Sequence, residues 1–467
     1  MTLVTNGRLI TRDSESRGYY EHGAVAYEGT KITEVGEETM LRAKYPQAEI
    51  IDAKGGVIMP AFINAHTHIY SALARGLSIT GNNPNNFYEV LDGTWWAIDR
   101  HLTLEGTRAS ANALYMDCIK QGVTTIFDHH ASYGEIPGSL HTIAESAKRF
   151  GVRSCLCYEV SDRDGEEKCR QAIQENADFI AECEKEQNPM LAAMFGGHAL
   201  FTLSDKTFDR MVEANNGRTG YHIHVSEGMN DVYDSLQNYG RRPVQRLQDH
   251  GILGPKTILG HCIHVNTAEM EIIQHTNTMV VNNPESNMGN AIGICPVIQL
   301  HKRGILLGMG TDAYTNDMLE SIKVALCSQR SQNCLPNVGW CEVTDMLKNV
   351  LIVVDDIEKS IEFYKDLFGL QVILKNEGNV ILSEGLVLQD ADVWGKTLNE
   401  TSTPFNNMME LYFEDFDIDG LLAKYESGKY FVRYATELTE IAGGQKLVRL
   451  YDPSGNLIEV RTPFMCN

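Results

Sequence analysis

Apolar and polar positions alternate in short runs over residues 1–59, at Leu3–Ile10, Gly23–Tyr27, Lys31–Val35 and Glu49–Met59, with glycines and polar turns between them. A period of two predicts strands, and runs this short predict a small antiparallel sheet. The texture changes from about 60 to 320. Apolar strand-like runs at Thr124–Phe127, Arg153–Tyr158, Met190–Met194, Tyr221–Val225, Thr257–Leu259, Met279–Val281 and Ile305–Gly310 are separated there by helical stretches. Such sustained alternation of strand and helix predicts a parallel α/β sheet, closed here as a (β/α)8 TIM-like barrel. A third texture begins near Met346. Val350–Val354, an amphipathic Ile357–Leu367, then Gln371–Leu374, Val380–Leu382 and Leu386–Leu388 predict one βαβββ unit. A looser copy follows through Met408–Phe413, a helix over Ile418–Tyr425, and strands near Tyr430–Tyr434, Lys446–Tyr451 and Leu457–Arg461, which makes this a C-terminal α+β domain of paired units. The expected divisions are therefore 1–59, 60–345 and 346–467.

The chain of 467 residues carries 40 Lys and Arg against 62 Asp and Glu, a net charge of −22. This acidity excludes nucleic acid and anionic membrane as partners, because both select a basic surface. No stretch approaches the roughly 18 apolar residues of a membrane helix, and the opening residues lack the basic flank and apolar run of a signal peptide. A cytoplasmic location is the expectation. The eleven cysteines are odd in number and scattered, which reads as reduced, mostly packed thiols and argues against a zinc knuckle.

Candidate chemistry sits at the ends of the barrel strands. His66 and His68 close an apolar run two residues apart, so both imidazoles share one strand face. His222 and His224 repeat that spacing, with Glu227 three residues beyond. His261 closes the next strand and Asp312 the last. One such pair alone is more often a packing feature. Four strand ends that each offer a ligand-type residue can converge only if the barrel closes, on the C-terminal face where barrel active sites form.

This set, HxH, HxxE, His and Asp, resembles the amidohydrolase superfamily and its cytosine-deaminase-like and chlorohydrolase-like branch. The segments Phe127–Ser132 (FDHHAS), Cys157–Glu166 (CYEVSDRDGE), Gly197–Ser204 (GHALFTLS) and Asn283–Met288 (NPESNM) resemble SsnA-type aminohydrolases over roughly residues 1–345. The resemblance implies a hydrolase of C–N bonds other than peptide bonds, deaminating or ring-opening a purine-like or other cyclic amidine or amide. It implies one divalent metal ion, zinc first with iron or manganese as alternatives, held by His66, His68, His224 and Asp312. Glu227 would move a proton to the ring nitrogen, His261 would orient the water, and Asp312 would accept the water proton. Neutral imidazoles with one carboxylate leave a divalent ion net positive, which makes hydroxide available near neutrality. His198 matches a substrate-contacting position. His129 is a further substrate-side candidate, and since consecutive strand residues face opposite ways, only one of His129 and His130 should reach the pocket. Trp95 with Trp96 could stack a planar substrate, and Asn287 could add a polar contact.

Members of that superfamily return after the Asp-bearing strand to complete the N-terminal sheet. Here a different texture follows, which leaves a partial β-sandwich with exposed edges. An incomplete sheet favours burial against a partner, a homodimer being the simplest. Residues 346–467 resemble the glyoxalase, bleomycin-resistance and dioxygenase group, the vicinal-oxygen-chelate fold, through Asn349–Asp356, Ser360–Leu370 and Tyr451–Glu459. The group's metal-binding His is Asn349 in this chain, with Gln389 near another ligand position, so a metal-free cup lined by Glu410 and Glu459 is expected. The competing reading is a catalytically impaired barrel whose chain binds or senses a small molecule through this C-terminal domain.

Overall fold

The structure, a computed structural model, describes residues 1–11, 19–77, 79–345, 350–354, 356–370, 372–376, 379–382, 386–391, 410–414, 417–430, 432–441 and 445–462. It divides into two units, Ala61–Leu347 and Met1–Pro60 with Lys348–Asn467.

The N-terminal sheet contains β1 (Thr2–Ile10), β2 (Tyr19–Glu28), β3 (Lys31–Glu37), β4 (Glu49–Asp52) and β5 (Val57–Ile58), in the order β3-β2-β1-β4 with β5 also on β1. It is mixed rather than antiparallel, since β4 and β5 both run parallel to β1. The helix Glu38–Lys44 carries the chain back before β4, the kind of crossover that parallel pairing requires. The single run expected over Glu49–Met59 is two strands, broken where Lys54 (φ 54°) and Gly55 (φ 75°) turn left-handed. Ile32 is 69% exposed, and Ile50, Ile51 and Val57 are exposed as well.

The barrel unit holds β6 (Phe62–Thr67), β7 (Val123–His130), β8 (Arg153–Tyr158), β9 (Leu191–Ala193), β10 (Phe195–Ala199), β11 (Tyr221–Val225), β12 (Ile258–His261), β13 (Met279–Asn282) and β14 (Leu307–Met309). All pair in parallel as β6-β7-β8-β9 and β10-β11-β12-β13-β14. Only Met194 separates β9 from β10, so the two act as one stave of eight. A bridge between Val160 and Gly197 joins the two arcs, and a bridge between Thr67 and Asp312 closes the cylinder. Helices wrap its outside. Leu104–Gln121 shows the local logic: Thr103 Oγ1 accepts from Gly106 N at 3.2 Å, and the helix stops at Gly122, whose φ of 72° suits a residue without Cβ. Ile126, Leu156, Ile223, Leu259 and Val280 are fully buried between staves and helices.

In the C-terminal domain β15 (Val350–Val354), the helix Ile357–Phe368, β16 (Val372–Asn376), β17 (Asn379–Leu382) and β18 (Leu386–Asp390) form a sheet in the order β15-β18-β17-β16. The second unit repeats it as β19-β22-β21-β20, from β19 (Glu410–Glu414), the helix Ile418–Tyr425, β20 (Tyr434–Ile441), β21 (Gln445–Tyr451) and β22 (Leu457–Arg461). The strand expected near Tyr430–Tyr434 begins only at Tyr434. Arg433 N and O both engage the Tyr425 hydroxyl, which holds the preceding turn against the helix.

Barrel closure leaves no room at Gly310, where an added Cβ would lie 2.3 Å from Asn283 Oδ1 and 2.8 Å from His66 O. Gly310→Ala is expected to destabilise the barrel by roughly 1–3 kcal/mol, read as a lower thermal midpoint of the purified protein.

Candidate metal centre and active site

The candidate ligands stand at strand ends because closure brings those ends together. Thr311 N and Asp312 N donate to His66 O at 2.9 and 3.0 Å, and His68 N donates to Asp312 O at 3.2 Å. Backbone hydrogen bonds thus fix β6 against the residues after β14. Within that frame His66 Nε2 and His224 Nε2 are 3.2 Å apart, and His68 Nε2 lies 2.9 Å from Asp312 Oδ1. Two groups could each surround a cation: His66, His68, His129 and His224, and His66, His261 and Asp312. All of these side chains are buried. His222, one repeat deeper, contacts His66 Nδ1 through Nε2 at 2.8 Å, so it adjoins the cluster from below.

Glu227, His261 and Asp312 also converge. His261 Nε2 is 3.5 Å from Glu227 Oε1 and 3.7 Å from Asp312 Oδ2. Its other nitrogen, Nδ1, donates to Asn287 Oδ1 at 2.7 Å, and Asn287 Nδ2 in turn donates to Asn282 Oδ1 at 3.3 Å. Asn287 therefore holds His261 rather than lining the cavity. Ser286 donates a short hydrogen bond to Asp312 Oδ2.

Burial governs the protonation of these groups. It holds His66 and His224 well below the ordinary imidazole range, with neighbouring imidazoles adding to the effect. Burial also acts downward on His68, but Asp312 and Glu159 outweigh it and raise His68 well above that range. Asp312 shows the converse: burial pushes upward, yet the adjacent His68 draws it far below the usual carboxylate value. Glu227 is raised well above its usual value by burial and then by Asp312. Desolvation penalises whichever form is charged, so His66 and His224 become free bases and Glu227 a proton carrier.

A cavity opens beside this cluster, lined by His68, Tyr70, Phe87, Leu91, Trp95, Trp96, Glu159, His198, His224, Glu227, Asn290, Asp312 and Ala313. Trp95 ends a π-turn, Leu91–Trp95, between the helical turns Phe87–Val90 and Trp96–Asp99. One inserted residue there shifts the register so that both tryptophans reach the cavity. His198, pushed down to about 4 by burial, contacts Thr202 Oγ1 through Nδ1 at 2.9 Å. His129 lies in the histidine cluster, stacked 4.6 Å from His222, and does not line the cavity. His130 faces away, against Tyr158 and Tyr70.

Two participants carried no role in the sequence reading. Glu159 follows β8 by one residue and faces the cavity, a strand-end position that could have flagged it. Ser286 gave no signal, since a serine in a Pro-ordered turn ordinarily only caps. In the C-terminal domain Glu459 is buried and ion-paired through Oε1 to Arg461 Nε at 2.5 Å and through Oε2 to Arg449. The side chains of Glu410 and Gln389, and Asn349 altogether, lie outside the described residues.

Residues 57–346 match the amidohydrolase family. The chain belongs to that family. Residues 347–465 match a glyoxalase-like domain, and residues 23–48 a bacterial imidazolonepropionase-like composite domain. The chain is 31% identical over 313 residues to a 5'-deoxyadenosine deaminase of Methanobrevibacter smithii, covering 66% of this chain and 69% of that one. It is 30% identical over 343 residues to a 5-methylthioadenosine/S-adenosylhomocysteine deaminase of Thermococcus sibiricus, covering 72% and 76%. Among solved structures it resembles E. coli guanine deaminase with TM-score 0.65, 18% identity and coverage of 75% and 83%. It likewise resembles a zinc-bound adenosine deaminase from Xanthomonas campestris with TM-score 0.63, 20% identity and coverage of 74% and 77%. This amidohydrolase is a metal-dependent aminohydrolase. Among the described residues no helix is long and apolar enough to cross a membrane.

The residues present fit a divalent ion. His66, His68, His129 and His224 bring ring nitrogens within 4.8 Å of one another while buried, and burial keeps His66 and His224 as free bases, the form in which imidazoles ligate a divalent ion. Exhaustive chelation is expected to lower the thermal midpoint, with recovery on adding zinc. His66→Ala is expected to weaken metal affinity by more than roughly tenfold, measured by elemental analysis after dialysis against graded metal buffers.

Proposed function

We propose that this amidohydrolase hydrolytically deaminates an amino-substituted nitrogen heterocycle, with adenine nucleosides the first class to test. The observation that carries this reading is that Glu227 and Asp312 line one cavity beside the His66, His68 and His224 cluster, with His261 Nε2 buried directly behind them at 3.5 and 3.7 Å. The curated relatives named as deaminases of adenine nucleosides support the choice of substrate class.

His66, His68, His224 and Asp312 would hold a single ion, zinc by preference, which when bound supplies Lewis-acid activation of water. The chain's own groups do the rest. Asp312, kept far on the ionised side, accepts the proton of the attacking water. His261, held by Asn287, presents Nε2 as an acceptor that orients that water. As the carbon bearing the amino group becomes tetrahedral, charge gathers on the adjacent ring nitrogen. Glu227, kept protonated by burial, donates there; the water proton held by Asp312 then passes to the amino nitrogen, which leaves as ammonia while the new hydroxyl returns its proton to Glu227. His198 and the Trp95–Trp96 wall would position the planar ring.

We read the barrel at 60–345 as the catalytic part, with 1–59 and 346–467 as accessory segments, acting on a soluble substrate in the cytoplasm. The exposed Ile32, Ile50, Ile51 and Val57 support burial of the N-terminal sheet against a second copy of the chain.

Ammonia release should be screened over adenine nucleosides, free purines and pyrimidines. Glu227→Gln is expected to lower kcat/KM by roughly 10²–10⁴ with metal content unchanged. Unaltered turnover in that variant would rule out the assigned proton path.

A further inference from the structure

Glu159 is a buried carboxyl, 3% exposed, on the wall of the cavity. Among the described residues its ion-pair neighbours are three histidines and no lysine or arginine: His68 Nδ1 at 3.2 Å, His129 Nδ1 at 3.4 Å and His198 Nε2 at 3.8 Å. They supply electrostatic contact but no well-formed hydrogen bond to its Oε1. His68 Nδ1 has a closer acceptor in His129 O, at 2.6 Å, which takes its one hydrogen. Thr202 Oγ1 donates to Ala199 O at 2.9 Å, so it accepts from His198 Nδ1. A neutral His198 therefore carries its hydrogen on Nδ1 and presents Nε2 as a second acceptor facing Glu159. His129 Nδ1 is beyond good hydrogen-bond distance. Oε1 is accordingly buried without a hydrogen-bond partner.

A carboxyl in this state is costly unless something delivers a donor. The cavity is the open side, and on its wall Glu159 stands after β8 while Glu227 stands after β11, so the two carboxyls do not duplicate one another. We infer that Glu159 is a specificity-determining residue that accepts a hydrogen bond from an N–H or O–H group of the substrate, remote from the carbon that loses ammonia. The inference rests on the deaminase reading and adds a chemical requirement to it. The substrate bears a second donor, either an amino or imino group of the heterocycle or a hydroxyl of an attached sugar. His198, with its bare Nε2 beside Glu159, extends the same acceptor-rich wall, which selects donors and rejects carbonyl-bearing or anionic groups.

The test compares wild type with Glu159→Gln and Glu159→Asp, using adenosine, 2',3'-dideoxyadenosine and adenine for ammonia release, calorimetric binding and elemental metal content. Glu159→Gln is expected to keep its metal and its kcat within roughly threefold, and to raise KM and the calorimetric Kd for adenosine roughly ten- to hundredfold. Glu159→Asp should recover part of that loss. If the donor is a sugar hydroxyl, dideoxyadenosine binds wild type as weakly as adenosine binds Glu159→Gln. If it is a ring group, adenine shows the full mutational effect. Loss of metal, or a fall in kcat at unchanged KM, would overturn the assignment and place Glu159 in support of His68 instead. Binding without ammonia release in wild type would defeat deamination alone, and the Kd comparison still decides Glu159. No binding of any probe by wild type would overturn both.

Discussion

Every claim about this site depends on the seam where β6 meets the residues after β14. The three backbone hydrogen bonds between His66, His68, Thr311 and Asp312 are unavailable to an open sheet. They bring the first and last ligand strands of the barrel into contact and set the separation of His68 and Asp312 before any metal is considered. The fit is tight, because Gly310 leaves the backbone of His66 and the side chain of Asn283 no space for even a methyl group. The ligand geometry is therefore a property of the main chain, with side chains choosing only their rotamers.

Much of this was legible in the sequence, for a physical reason. Parallel strands buried on both faces read as uninterrupted apolar runs, and the residues that end them stand out by being polar. His66, His68, His224, His261 and Asp312 were visible on that ground. The pairing of β4 and β5 with β1 was not, because alternation fixes which face a strand presents but says nothing about its direction. Glu49–Met59 likewise looked continuous, since a Lys-Gly pair in a strand-like run does not announce two left-handed residues in succession. Asn287 was read as a substrate contact, and its bond to His261 depends on a helical turn, Pro284–Gly289, that a short Pro-led segment only hints at.

What the sequence concealed most completely is strain. Ser226, His261 and Asp312 have φ of 48°, 68° and 55°, left-handed values that each cost a non-glycine residue about 1–3 kcal/mol. All three follow or end the staves that carry His224, His261 and Asp312 to the site, and Cys262, at φ 48°, continues the turn after His261. Local hydrogen bonds hold these turns: Ser226 N donates to Asp231 Oδ2 at 2.7 Å, and Cys262 N to Val225 O at 3.0 Å. No glycine or asparagine marks the positions. The residues there are set by chemistry, and the surrounding structure imposes the backbone conformation they would otherwise avoid.

Desolvation unifies the site. Placing imidazoles out of water lowers their proton affinity, which frees the Nε2 lone pairs of His66 and His224 for ligation. Placing a carboxyl out of water raises its proton affinity, which equips Glu227 to donate. One cause thus gives opposite protonation states, and both are those that hydrolysis of an amidine requires. Asp312 is pushed up by burial but drawn down further by His68, 2.9 Å away, with His261 and the Ser286 hydrogen bond acting in the same direction, so this carboxylate stays ionised. A wetter cavity would relax all of these shifts together. The aromatic wall of Tyr70, Phe87, Trp95 and Trp96 is thereby part of the acid–base apparatus as well as a surface for a planar ring.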